Sequence, residues 1–180
     1  MAGQDSPRQG LIQVYTGGGK GKTTCALGLA LRAVGRGLRV EIIQFMKAPQ
    51  SSGEHFAAPK LAPNLEIIPT GRKGFILKKD PDPEDVRLAQ AGLETAAKAL
   101  EGSGVDLLIL DEVNVALSVG LLKLDEVAAL LDKRPSAVEL VLTGRDAPAE
   151  IIERADLVTE MVQVKHPYQK GVGAREGIEF

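Results

Sequence analysis

The segment TGGGKGKTT, residues 16–24, constrains this chain more than any other. The apolar run LIQVY at residues 11–15 precedes it and reads as a buried strand. KTTCALGLALRAVGR at residues 22–36 follows and reads as an apolar helix packed against the sheet and closed by Gly35 and Gly37. A strand, a glycine-rich turn ending in Gly-Lys-Thr, and a helix form the context of a P-loop. Gly17, Gly18, Gly19 and Gly21 let consecutive backbone N–H groups turn toward one anion. The helix N-terminus adds the positive end of its dipole. Lys20 and Lys22 bring positive charge, and Thr23, with Thr24 beside it, offers a hydroxyl to Mg²⁺. The loop is compressed. Counting back from Gly21 in G-x-x-x-x-G-K-[ST] puts Thr16 at the first glycine, and Gly17 falls one residue late.

The rest of the chain alternates strands with helices. LRVEIIQF (38–45), LEIIP (65–69), VDLLILDE (105–112) and AVELVLTGR (137–145) read as further strands. DLVTEMVQVK (156–165) alternates in polarity and reads as an antiparallel edge strand. From Pro83, the residues Val86, Ala89, Leu93, Ala96, Ala97 and Leu100 recur at helical spacing until Gly102. A helix over 124–134 stops at Pro135, and another starts at Pro148. The expected fold is α/β, with a mostly parallel sheet of about six strands whose last strand is antiparallel. A flexible N-terminus, 1–10, precedes a single nucleotide-binding domain, 11–180. Residues 47–64 and 166–180 lack regular patterning, and loops that long in a compact domain are often functional. Such sheets bind ligands at the C-terminal ends of their strands. There Asp111-Glu112 ends an apolar strand, the pattern that holds Mg²⁺ in P-loop proteins, and the sequence does not separate the two acids. MgATP or a similar nucleotide is the implied ligand. Hydrolysis, phosphoryl transfer and attack elsewhere on the nucleotide all start from this cradle.

Composition narrows the classes. Lys and Arg total 22 against 24 Asp and Glu, a net charge of -2, which argues against a general nucleic-acid binder. No apolar run spans a bilayer and the N-terminus lacks a signal-peptide core, so the expectation is a soluble cytoplasmic protein. The lone Cys25 forms no internal disulfide and is expected as a small buried hydrophobe. With two Tyr, four Phe and no Trp, the core must be aliphatic.

Three blocks go beyond a generic P-loop protein: residues 15–47, 107–148 and 155–180. They contain G-x-G-K-G-K-T, QF-x-K after the second strand, TGR after the fifth, and a KHP…G…GIE tail. In this set and its order the chain resembles the ATP:cob(I)alamin (corrinoid) adenosyltransferases of the CobA/BtuR type. The resemblance implies a RecA-like α/β fold, a homodimer, and a nucleotide lying reversed relative to most P-loop enzymes. It implies transfer of the 5′-deoxyadenosyl group of ATP to the cobalt of a reduced corrinoid, with release of triphosphate. Cobalt is then the nucleophile, and the protein positions the reactants and stabilises charge on the leaving group. Lys20 and Lys22 suit that task, with Thr23 and Asp111 or Glu112 holding the metal. Arg32 aligns with a family arginine near the nucleoside or is a surface arginine, and Arg145 serves the nucleotide, a dimer contact or the fold. Reduction of cob(II)alamin, with electrons from a reductase such as a flavoprotein, is eased in the family by aromatics that displace the lower cobalt ligand. Phe75 falls on one such position unless it is an ordinary loop hydrophobe, and Leu77 falls where some members carry tryptophan. The alternatives are a P-loop small-molecule kinase, which would yield ADP, and a nucleotide-dependent switch that binds a protein partner.

Overall fold

The computed structural model describes residues 8–73, 81–102 and 104–180. Among these residues, six strands and six helices follow one another as β1 (Ile12–Thr16), α1 (Lys22–Val34), β2 (Val40–Phe45), α2 (Gly53–Ala57), β3 (Leu65–Thr70), α3 (Pro83–Glu101), β4 (Leu107–Asp111), α4 (Val113–Ser118), α5 (Leu124–Asp132), β5 (Glu139–Thr143), α6 (Ala149–Arg154) and β6 (Leu157–Glu160). Short 3₁₀ turns follow α2 and lie in the tail at Pro167–Lys170. The strands form one sheet in the order β3-β2-β4-β5-β1-β6.

Every pairing is parallel, including β6 on β1, with Gln13 opposite Leu157 and Thr16 opposite Glu160. The expected antiparallel last strand is therefore corrected. Helix α6 carries the chain from the end of β5 back to the start of β6, and such a crossover delivers a parallel strand. The alternation in residues 156–165 has another cause: all four β6 residues are exposed.

Strand residues alternate between two aliphatic layers. Val14, Ile43, Leu108, Leu110, Leu140 and Leu142 face one side, against α3 to α6. Ile42, Ile109 and Val141 face the other, against α1. Among the described residues, only Tyr15 and Phe45 bring aromatic rings into the buried core. Helix α1 meets the sheet through Ala26, Ala30 and Ala33, one stripe at spacings of four and three. Its other side faces outward, so Cys25 is exposed rather than buried and Leu31 is 60% exposed. The expected irregular stretch 47–64 instead holds α2, and α4 was not expected at all.

Candidate active site

Parallel pairing aligns the C-terminal ends of β1, β2, β4 and β5 along one edge, and the site is built there. Gln44 pairs with Asp111 in register, and Leu110 pairs with Leu142, which sets Asp111 beside Thr143. Asp111 is 1% exposed, and both its oxygens are fully used. Oδ1 accepts the hydroxyls of Thr23 (2.8 Å) and Thr143 (2.7 Å). Oδ2 accepts the Gln44 amide at 3.2 Å and pairs with the Lys47 ammonium at 3.0 Å. Burial alone would lower the Lys47 pKa, but the Asp111 and Glu54 carboxylates together hold it above its ordinary value. Glu54, from α2, accepts Gln44 at 3.1 Å and Lys47 at 3.3 Å. Burial pushes its carboxyl up, yet hydrogen bonds from Gln44 and its own backbone N–H, with Lys47, hold it at about 2. His55 Nδ1 accepts the Ser51 N–H, so Nε2 donates to the Gln44 carbonyl oxygen and fixes that amide's orientation.

Glu112 differs from its neighbour. It sits at φ 63°, left-handed, as the residue before α4, with its backbone N–H donating to Thr143 Oγ1 at 2.9 Å. No hydrogen bond among the described residues reaches its carboxylate; burial first, then the Asp111 charge, raise its pKa.

The glycine loop wraps from β1 to α1. Gly17 (φ 93°) and Gly21 (φ 115°) take backbone conformations that side chains rarely adopt. A Cβ on Gly17 or Gly19 would also stand 2.6 Å from the Met161 carbonyl, which accepts the Gly19 N–H at 2.6 Å. The parallel β6 thus buttresses the loop. Lys22 donates to the loop's own carbonyls, Gly17 O at 2.8 Å and Gly19 O at 2.7 Å. Burial lowers its pKa, against the pull of Glu112.

Two cavities adjoin this loop. A smaller one, about 280 Å³, is lined by Gly18 to Thr24, Glu112, Arg145 and His166. A larger one, about 550 Å³, is lined by Leu27, Lys47, Ser51 to Glu54 and the tail from Gly177. Thr23, Thr24, Glu112, Ile178 and Glu179 line both.

Comparison with known sequences identifies the family. The sequence profile of the family described as ATP:corrinoid adenosyltransferase BtuR/CobO/CobP matches residues 8–180. The chain belongs to this family. It is 38% identical over 177 residues to a corrinoid adenosyltransferase of Pseudomonas aeruginosa, covering 98% of this chain and 87% of that one. It is 34% identical to the corrinoid adenosyltransferase of Escherichia coli K12, covering 98% and 89%, and 33% identical to corrinoid adenosyltransferase CobA of Salmonella typhimurium, again covering 98% and 89%. The activity of the family is ATP-dependent adenosylation of corrinoids.

In this adenosyltransferase the residues singled out from sequence divide into three groups. The loop from Gly17 to Thr24, Asp111, Glu112 and Arg145 come together at one sheet edge. Arg32 does not join them: ten residues along α1 from Lys22 is about 15 Å, and it lines a groove with Arg8, Arg36 and Leu107. Phe75 and Leu77 lie outside the described residues. The sequence reading gave no role to Gln44, Glu54 or Thr143. The available signal was that Gln44 opens the QF-x-K block and Thr143 the TGR block, each at a strand end.

Proposed function

We propose that this protein transfers the 5′-deoxyadenosyl group of ATP to the cobalt of a reduced corrinoid, cob(I)alamin or a cobinamide-type precursor, and releases triphosphate. One observation carries the reading: a phosphate loop with an adjoining larger cavity, the two sharing the Thr23, Thr24 and Glu112 wall. The triphosphate occupies the smaller cavity, against Gly17 to Gly21, the helix end, Lys20, Lys22 and Arg145. The nucleoside lies toward the larger one, where the corrinoid approaches. The cobalt electron pair attacks C5′, the Co–C bond forms, the C5′–O bond breaks, and its electron pair leaves on the triphosphate. Cobalt is oxidised by two electrons, and no proton moves. The protein's part is orientation and preorganised positive charge where the leaving group becomes more negative. Lys22 leaves the loop carbonyls to meet phosphate oxygens.

The donor set fits Mg²⁺. Thr23 and Glu112 are oxygen donors on the wall of both cavities, and the described residues hold no all-protein cluster of three metal-ligating side chains. Magnesium normally takes one or two carboxylates plus phosphate oxygens and water. Glu112, whose carboxylate takes no hydrogen bond among the described residues, is the direct ligand in this reading, and Asp111 fixes the Thr23 hydroxyl. The bound ion would neutralise triphosphate charge.

The same reading makes the enzyme a cytoplasmic homodimer that receives electrons from a flavoprotein-type reductase. In its support, no described helix is long and apolar enough to cross a membrane, and the edge strand β6 and the segment just after it expose Leu157, Val158, Val162 and Val164. The test is incubation with MgATP and chemically reduced cobalamin, following the corrin spectrum and the phosphate product. Triphosphate with a cobalt–carbon spectrum is expected, and Lys22→Ala should abolish both. ADP without spectral change would refute the proposal in favour of a kinase or switch.

A further inference from the structure

The end of the chain folds back over the phosphate loop. The Gly177 N–H donates to the Phe180 carbonyl at 2.7 Å, and the Arg175 N–H donates to the Glu179 carboxylate at 2.8 Å. Two cations meet on Glu179. Lys20 Nζ lies 2.8 Å from Oε1, and Arg175 Nη2 lies 3.0 Å from the same oxygen. Arg175 Nε closes the fork on Oε2 at 3.1 Å. The Arg175 fork and Lys20 hold the Glu179 carboxyl far below its ordinary range.

Glu179 lines both cavities, so this carboxylate stands at the phosphate loop itself. An arginine fork that fits a carboxylate fits a phosphate equally well. A loop lysine and an arginine converging on one oxygen present the arrangement that a phosphate oxygen would receive. The Glu179 side chain is 19% exposed while Lys20 is 47% and Arg175 58% exposed, so both cations have room to turn from it. A triphosphate brings several charges against one.

Resting on the reading that the loop holds triphosphate, we propose that Arg175 is a triphosphate-binding residue delivered by the tail. Glu179 is the exchangeable anion that holds Arg175 and Lys20 until the triphosphate takes both. When the product leaves, Glu179 recaptures them, which opposes rebinding of free triphosphate.

The test is calorimetric titration of the full chain with inorganic tripolyphosphate at low salt. Glu179→Gln removes the competing charge and should bind about three- to tenfold more tightly. Arg175→Gln removes a ligand and should bind more weakly by a similar factor. A merely structural pair would move both variants in the same direction. Unchanged or weaker binding by Glu179→Gln overturns the exchange, and unchanged binding by Arg175→Gln removes that residue from the site. Failure of the underlying reading is distinguishable: Lys22→Ala would then bind tripolyphosphate as well as the unsubstituted chain does.

Discussion

Asp111 and Glu112 are adjacent acids that should respond oppositely to loss of charge. Asp111→Asn keeps one oxygen but turns an NH₂ toward groups that are themselves donors. Placed at Oδ1 it meets Thr23 and Thr143, and at Oδ2 it meets Gln44 and Lys47. Breaking a fully buried ion pair costs about 3–5 kcal/mol. Lys47 is 26% exposed and keeps Glu54 at 3.3 Å, which moderates the loss. A buried donor left unsatisfied adds about 1–3 kcal/mol. With the ion-pair loss reduced to about 1–2 kcal/mol by the exposure of Lys47 and its remaining Glu54 contact, the two together give about 3 kcal/mol, or a fall of about 6–12 °C in melting temperature for a chain this size. Glu112→Gln removes a carboxylate that accepts no hydrogen bond among the described residues and whose pKa burial raises. A raised folded pKa means that ionisation costs stability above the unfolded value of about 4.5, and that the cost disappears as pH falls below it. Glu112→Gln should therefore be neutral to stabilising at pH 7, by up to about 1 kcal/mol, with the gain fading toward pH 4. In the same variant the Mg²⁺ requirement of adenosyl transfer should rise steeply. Urea unfolding at both pH values, with Mg²⁺ titrations of activity, makes the comparison. Equal destabilisation by the two substitutions would refute the division of labour between these acids.

Three further outcomes follow from the geometry. Gly17→Ala forces a side chain to φ 93° with its Cβ 2.6 Å from the Met161 carbonyl. It should cost about 1–3 kcal/mol and transfer activity, so a melting temperature equal to that of the unsubstituted chain would show that the loop yields freely. Glu54 is held at about 2 against an ordinary 4.5, so it supports the fold above pH 4.5 and loses that support as pH falls toward 2. That shift is worth at most about 3 kcal/mol, and Glu54→Gln should flatten the acid limb of stability measured by unfolding across pH 2–6. Phe75→Ala should impair reaction from cob(II)alamin more than from pre-reduced cob(I)alamin, and equal losses would remove Phe75 from a role in displacing the lower ligand.

What was legible in the sequence was local chemistry. The strands declare themselves as apolar runs, and the loop declares itself because glycines, lysine and threonine follow a strand and open a helix. Features set by distant partners were not legible. The direction of β6 depends on a crossover helix of only six residues, while its alternation reflects exposure on both faces. Helix α2 buries no residue and α4 is six residues long, so neither carries a periodic pattern to read. Cys25 looked buried because α1 is apolar all round. It lies one residue, a turn of about 100°, from the Ala26–Ala30–Ala33 stripe that touches the sheet.

The pair Asp111-Glu112 shows where sequence reasoning stops and why. Both acids follow the same strand, so any argument from spacing treats them alike. Register separates them. Asp111 is opposite Gln44 on one side and beside Thr143 on the other, so its lone pairs are consumed by residues from β2, α1 and β5. The left-handed turn at Glu112 follows at once and leaves that carboxylate on the wall of both cavities without a hydrogen bond among the described residues. The acid with many partners is suited to hold the site rigid, and the acid without them is the one with bonds left to give a ligand.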